Sequence, residues 1–173
     1  STESHCRTVA LSHYRLQPST FSQPDFTSNS DLACELFFRA ITVKGSLKRI
    51  RNPFMLVLTD ENGVADYFIN WFGEACGHES LLLLNESVIP LQRIPTGADL
   101  VISIFSEVRA WKNKPLYFND LIAKIHKKVE VFLSFGNPYI LSKIESPTIF
   151  AYSTSKEAQI AMVRYIKEKG LFQ

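Results

Sequence analysis

The segment VEVFLSFGNPY, residues 129–139, constrains the fold more than any other part of the chain. Its first part is a nearly unbroken apolar run, which is typical of a β-strand covered on both faces. Gly136 follows, and glycine adopts backbone angles that are closed to other residues. Asn137 can cap a helix that starts at Pro138, because the fixed φ of proline suits the first helical position. The segment therefore predicts a buried strand, a sharp turn and a helix start in succession.

Strand and helix patterns alternate along the rest of the chain. Short apolar runs predict further strands at residues 54–59, 80–85, 100–105 and 148–152. Apolar residues at helical spacing predict four helices, with stripes Ala33, Leu36, Phe37 and Ala40; Ala65, Phe68, Ile69 and Phe72; Phe118, Leu121, Ile122 and Ile125; Ala158, Ala161, Met162 and Tyr165. Strands separated by helices pair in parallel. The chain therefore predicts an α/β fold, a three-layer sandwich whose mostly parallel sheet of five or six strands has helices on both faces.

Length and charge set the domain count and restrict the partners. The chain has 173 residues, which fits one domain, and its formal net charge is +2. Residues 1–30 are rich in Ser, Thr, Pro and Asn, so we expect a linker or extended N-terminal segment there and one sandwich domain over residues 31–173. The small net charge and the absence of an apolar run of about 20 residues argue against nucleic acid and membrane as partners.

The three cysteines, Cys6, Cys34 and Cys76, stand far apart and lack the spacing of a zinc site or a disulfide framework. Cys34 and Cys76 fall in helical patterns, which predicts buried packing residues. Unpaired cysteines are typical of reducing compartments and slightly favour a cytoplasmic location.

Several stretches resemble one known family. SFGNPYIL shows a strand ending in [ST]-x-G-[NS]-P-Y, and SPTIFAYS with the helix SKEAQIAMVRYIKEKG follows it. Nearer the start, DLACELFFRAITVKG and NPFMLVLTDENG are similar to the opening helix and strands of the same domain. Over about residues 31–170 the chain thus resembles the C-terminal α/β domain of glycoside hydrolase family 3.

The resemblance implies a partner and a substrate. The family hydrolyses β-glycosides, commonly as β-glucosidases or β-N-acetylhexosaminidases, without a cofactor. A (β/α)8 barrel ahead of this domain supplies the aspartate nucleophile and much of the sugar site. Such a barrel needs about 250 residues by itself. We therefore expect an accessory domain that supports a catalytic barrel and lines one side of its carbohydrate site, and that is inactive as this chain alone.

Gly136, Asn137 and Tyr139 are the first candidate site residues. From the residues alone, Asn137 is a helix cap and Tyr139 packs over the turn. The resemblance implies in addition that this loop faces the barrel, where an amide and a phenol can hydrogen-bond a sugar hydroxyl or the loops of the barrel.

Asp60 and Glu61 form a second candidate, at the carboxyl end of the predicted strand 54–59. Adjacent carboxylates there suit acid–base chemistry or a cation, as in receiver-type domains. The sequence D-E-N-G is equally a favourable turn. If these carboxylates do form such a site, the alternative function is a flavodoxin-like or receiver-like binding or signalling module.

Glycine-rich phosphate loops, the nucleophile elbow G-x-S-x-G and H-E-x-x-H are all missing from the sequence. No catalytic residue, metal site or cofactor is therefore predicted.

Overall fold

The computed structural model describes residues 28–85, 88–107 and 116–173, with the side chains of residues 116–119 excepted. Its helices are α1 (Asn29–Ala40), α2 (Asp66–Asn70, continued by a π-helical turn at Trp71–Ala75), α3 (Leu116–Ile125) and α4 (Lys156–Lys169). Its strands are β1 (Thr42–Lys44), β2 (Pro53–Thr59), β3 (Ser80–Leu84), β4 (Asp99–Ser106), β5 (Val129–Gly136) and β6 (Thr148–Phe150). Most of the predicted linker, residues 1–30, lies outside the described residues.

The six strands form a single mostly parallel sheet in the order β1-β6-β5-β4-β2-β3. All neighbours pair in parallel except β1, which lies antiparallel to β6. This confirms the predicted α/β fold and strand number. Short 3-10 turns, rather than α-helices, connect β3 to β4 and β5 to β6, at Leu91–Arg93 and Pro138–Leu141.

Both faces of the sheet are covered, as β2 shows most clearly. All of its residues are buried, because successive side chains enter opposite layers. Met55 and Val57 belong to a first core cluster, between the sheet and helices α2 and α4. Leu56 and Leu58 belong to a second core cluster, between the sheet and α3. The near-continuous apolar runs of the sequence therefore reflect burial on two sides.

Local signals fix the ends of α4. The Ser155 side chain accepts a hydrogen bond from the Ala158 N–H, and Gly170 ends the helix in the left-handed conformation with φ of 58°. Inside the helix, the buried side chain of Gln159 joins the start of α2 to the loop before α4. Its Nε2 donates to the carbonyl oxygens of Val64 (2.7 Å) and Thr154 (2.8 Å), and its Oε1 accepts from the Phe68 N–H (3.0 Å).

Helix α1 differs from its prediction. It begins at Asn29, but it buries no residue completely, and Leu36 is 60% exposed. The predicted buried stripe is therefore wrong at Leu36 and Ala40, because α1 packs against α4 instead of the sheet. The Arg164 guanidinium lies 3.8 Å from the centre of the Phe38 ring, and it binds the Glu35 carboxylate at 2.6 Å.

The cysteines also depart from expectation. Cys34 and Cys76 are half-buried free thiols rather than buried packing residues, and partial burial raises the pKa of both. Cys6 lies outside the described residues.

Among the residues that the structure describes, no helix has both the length and the apolar character needed to span a bilayer.

Candidate functional site

The carboxyl ends of the parallel strands β2 to β6 meet along one side of the sheet, which we call the carboxyl edge. At this edge β5 and β6 send the chain to opposite faces. Leu141, after β5, joins the second core cluster, whereas Met162, after β6, joins the first. Ligands of open α/β sheets commonly bind outside the carboxyl ends of neighbouring strands whose connections diverge in this way.

Gly136 brings the loop after β5 close to β4. Its φ is +95°, and a β-carbon added there would overlap the Ser106 carbonyl oxygen. The next N–H, of Asn137, donates to the same oxygen at 2.7 Å. Glycine is therefore required at this position for both backbone angle and space. The sharp turn predicted from the sequence is confirmed.

Asn137 is buried, with 5% of its surface exposed. Its Oδ1 accepts from the Tyr139 N–H at 2.9 Å and so caps the 3-10 turn Pro138–Leu141, whose first residue is proline. The predicted cap and proline start are confirmed, although the turn is a 3-10 helix. The Nδ2 of Asn137 makes no hydrogen bond to any residue that the structure describes. Both N–H groups on the Nδ2 of this fixed amide thus remain for a ligand or partner.

Tyr139 is 71% exposed, so the expectation that its ring packs over the turn is wrong. The ring stands on the surface two residues from the buried amide of Asn137. Tyr152, after β6, is also exposed, stacks on Phe150 and shares a hydrogen bond with the Thr42 hydroxyl. Exposed aromatic rings of this kind offer apolar area with a polar tip to a partner or a sugar.

Asp60 and Glu61 occupy a turn at the end of β2. The Thr59 hydroxyl donates to the Glu61 carbonyl (3.0 Å) and accepts from the Glu61 N–H (3.1 Å), which confirms the turn. Asp60 is half-buried and Glu61 is exposed. Within the described ranges, no three His, Cys, Asp or Glu side chains are grouped so that they could hold a metal ion.

A contact that the sequence did not predict crosses the carboxyl edge. The Glu107 carboxylate, after β4, accepts from the Thr154 hydroxyl at 2.6 Å and from the Thr154 N–H at 3.4 Å. The two residues lie on the loops that flank β5 on either side. The only sequence signal for this contact is the position of Glu107 at the end of an apolar run. No local pattern links Glu107 to Thr154.

Comparison with known proteins bears on the fold. Neither a protein-family profile nor a curated protein matches the chain. Two solved glycoside hydrolase family 3 enzymes share its fold. The first is a fungal multi-domain β-N-acetylglucosaminidase, described as having a unique GCN5-related glucosamine N-acetyltransferase region, with 18% identity and a TM-score of 0.53 over 79% of this chain.

The second is the β-N-acetylglucosaminidase from Paenibacillus sp. str. FPU-7, with 13% identity and a TM-score of 0.52 over 97% of this chain. The chain spans 17% of the fungal enzyme and 37% of the bacterial one. It is therefore similar in fold to a part of each multidomain enzyme.

Proposed function

We propose that this chain is an accessory α/β domain of a family 3 glycoside hydrolase of the β-N-acetylhexosaminidase type. Its role is to support a catalytic (β/α)8 barrel and to line one side of the sugar site of that barrel. The fold shared with parts of two family 3 enzymes supports the proposal, as do the sequence stretches that resemble the C-terminal domain of that family. The proposal assigns no catalytic residue to this chain.

The observation that carries the proposal is the amide of Asn137. Its Oδ1 is held by the cap of the 3-10 turn, so the side chain is already oriented before any ligand arrives. Its Nδ2 is a neutral donor at the carboxyl edge, where ligands of α/β sheets bind. A sugar hydroxyl or a carbonyl from a barrel loop accepts such a hydrogen bond without any charge to compensate.

The ring of Tyr139 extends the same surface. Because it is largely exposed, it contributes little to the core of this domain and is available to a neighbouring domain. Tyrosine is enriched at interfaces, since it buries a rigid apolar face and keeps one hydrogen-bonding group. Asn137 and Tyr139 together fit a boundary between this domain and a sugar-binding barrel.

The test uses the protein in which a barrel is attached to this chain. Asn137→Ser keeps a capping oxygen but loses the amide donor, and Tyr139→Phe removes only the phenol hydroxyl. A role at the sugar site lowers kcat/KM by about tenfold for a lost hydrogen bond, with little change in thermal unfolding. Asn70→Ser is the matched control, because Asn70 is exposed on α2. It should leave kcat/KM unchanged.

Two results would count against this function. If Asn137→Ser and Tyr139→Phe fold normally and keep the wild-type kcat/KM, the loop after β5 is scaffold alone. If Tyr139→Ala also leaves both the activity and the thermal unfolding of the whole enzyme unchanged, the loop has no contact with the barrel.

A further inference from the structure

The segments that follow β2, β4, β5 and β6 are joined to one another at the carboxyl edge, and Gln159 makes the first connection. Only 2% of its surface is exposed. Its amide donates to the Thr154 carbonyl oxygen, after β6, and binds the main chain of Val64 and Phe68, after β2. A buried amide that is satisfied in this way is rigid, so it fixes the position of the Thr154 backbone.

Thr154 makes the second connection, between the loops after β6 and β4. Its hydroxyl donates to the Glu107 carboxylate at 2.6 Å, and its N–H lies 3.4 Å from the same oxygen. Hydrogen bonds to a carboxylate are shorter and stronger than those between neutral groups. The Thr154 hydroxyl is therefore the main contact that holds the loop after β6 against the end of β4.

The third connection joins the ends of β4 and β5. Ser106, directly before Glu107, accepts the Asn137 N–H at 2.7 Å through its carbonyl oxygen. A β-carbon built on Gly136 would lie 2.3 Å from this oxygen and 3.3 Å from Thr154 Cγ2. The turn that carries Asn137 is therefore held between the end of β4 and the loop after β6, and Glu107 joins those two segments.

The loop after β6 needs such support because its backbone is strained. Tyr152 has a φ of +61°, although it is not a glycine. Strained conformations persist only where the surrounding structure holds them, and they cluster at binding and active sites. The Tyr152 hydroxyl shares a hydrogen bond with Thr42, and the contacts of Thr154 with Glu107 and Gln159 hold the other end of the loop.

We propose that Glu107 and Thr154 are positioning residues for the Asn137 amide. The inference rests on the proposed function, in which that amide binds a sugar or a barrel loop. Glu107 acts from the end of β4 and Thr154 from the loop before α4, so the turn between them keeps its place only while the two stay joined. A displacement of about 1 Å at a binding group can lower a rate by about a hundredfold, so such support affects activity.

Two substitutions at position 154 separate the hydroxyl from the methyl group. Thr154→Val keeps the shape but loses the donor to Glu107, whereas Thr154→Ser keeps the donor and loses the methyl contact with Gly136. Glu107→Gln keeps an oxygen that can accept from Thr154, and Glu107→Met removes it. Ser146→Ala is the matched control, because it removes a hydroxyl hydrogen bond of 3.0 Å at the opposite end of β6.

The first measurement needs no barrel. In the 173-residue chain, NMR relaxation gives the order parameter of the Asn137 side-chain amide. We expect Thr154→Val and Glu107→Met to lower it to a flexible value, below about 0.6. Thr154→Ser, Glu107→Gln and Ser146→Ala should keep the wild-type value. An amide that is as ordered in Thr154→Val and Glu107→Met as in wild type overturns the inference, whatever Asn137 does in the enzyme.

The second measurement uses the enzyme with its barrel attached. Thr154→Val and Glu107→Met should lower kcat/KM by about tenfold, as Asn137→Ser does, and Thr154→Ser and Glu107→Gln should keep about half of it or more. Thr154→Val added to Asn137→Ser should cause no further loss, because both substitutions act through the same amide.

The outcomes separate this inference from the proposed function. If Asn137→Ser lowers kcat/KM while Thr154→Val and Glu107→Met keep the wild-type value, or if the losses of Asn137→Ser and Thr154→Val multiply, the positioning role is overturned and the proposed function stands. If Asn137→Ser keeps the wild-type kcat/KM, the proposed function fails, and the order parameter in the 173-residue chain still decides whether Glu107 and Thr154 position the amide.

Discussion

The carbonyl oxygen of Ser106 occupies the space that a β-carbon on Gly136 would need. The same oxygen accepts the N–H of Asn137, so the end of β4 positions the whole turn after β5. Any side chain at position 136 would push this turn away from its neighbour and disturb the cap that follows.

Gly136→Ala should therefore destabilise the chain by about 3 kcal/mol or more, because strain at positive φ, of the order of 1–3 kcal/mol, adds to the overlap with Ser106. Gly77→Ala is the control. Gly77 also has positive φ, but a β-carbon there meets nothing within 4 Å, so the expected cost is only about 1 kcal/mol. Urea unfolding of both variants gives the comparison. Equal costs would show that the contact with Ser106 is unimportant.

Gln159→Met should cost about 3 kcal/mol. The substitution keeps the length of the side chain but leaves the Val64 and Thr154 carbonyl oxygens and the Phe68 N–H without their present partner. Lys156→Met, on the exposed face of the same helix, should change the free energy of unfolding by less than about 0.5 kcal/mol. Chemical denaturation of the two variants and the wild type measures these changes in the free energy of unfolding. A small loss for Gln159→Met would mean that water replaces the bridge.

The acid dependence of stability should involve Glu35. Hydrogen bonds from Arg164, and then from Arg39, lower the pKa of the Glu35 carboxyl below its ordinary value of 4.5. A lowered pKa means that the ionised form favours the folded state, so this contribution is present above pH 4.5 and is lost as the pH falls through the folded-state pKa.

We expect Glu35→Gln to be less stable than wild type at pH 6, and the difference to shrink progressively as the pH falls below 4.5. Glu74→Gln serves as the control, since Glu74 is exposed and forms no ion pair with the described residues. A stability difference for Glu35→Gln that is constant across this range would rule out the ion pair as its cause.

The thiols of Cys34 and Cys76 should ionise only at a higher pH than an ordinary cysteine thiol. Burial is the main cause that raises the pKa of the Cys34 and Cys76 thiols above 9.0. At pH 8 both should therefore react with a thiol reagent more slowly in the native chain than in the denatured chain. Because the folded-state pKa values are raised, the related stability is complete below pH 9.0 and is lost as the pH rises further.

In denaturant without prior reduction, all three cysteines of the sequence should react. A count of one would reveal a disulfide and remove the argument for a reducing compartment.

The isolated chain should not hydrolyse aryl β-N-acetylglucosaminides or β-glucosides above the buffer rate. Glycosidases need two carboxylates on opposite sides of the scissile bond, about 5–9.5 Å apart, and the nucleophile is expected from the barrel. Turnover by this chain that persists through rigorous purification would contradict the prediction.

Structural features that are specified by residues close together in the sequence could be predicted from it. The strand, glycine turn and cap around Asn137 were all predicted, because each is specified within a few positions. The same holds for Ser155 and Gly170 at the ends of α4. These signals act through local backbone geometry, so tertiary structure does not override them.

Contacts between distant segments were not predictable. Helical spacing identified α1 but not its surroundings, and Leu36 remains exposed because α1 lies on another helix. The contact between Glu107 and Thr154 joins two loops that only the finished sheet brings together. The exposure of Tyr139 likewise depends on what the rest of the domain leaves uncovered.

The antiparallel pairing of β1 with β6 has a consequence for the order of folding. Thr42 lies opposite Phe150, so the first described strand meets its partner only after about a hundred further residues have been synthesised. Closing so long a loop is slow and comes after the more local parallel pairs have formed. We therefore expect β1 to dock last, and a nascent chain that stops before Thr148 to keep an open strand edge on β5.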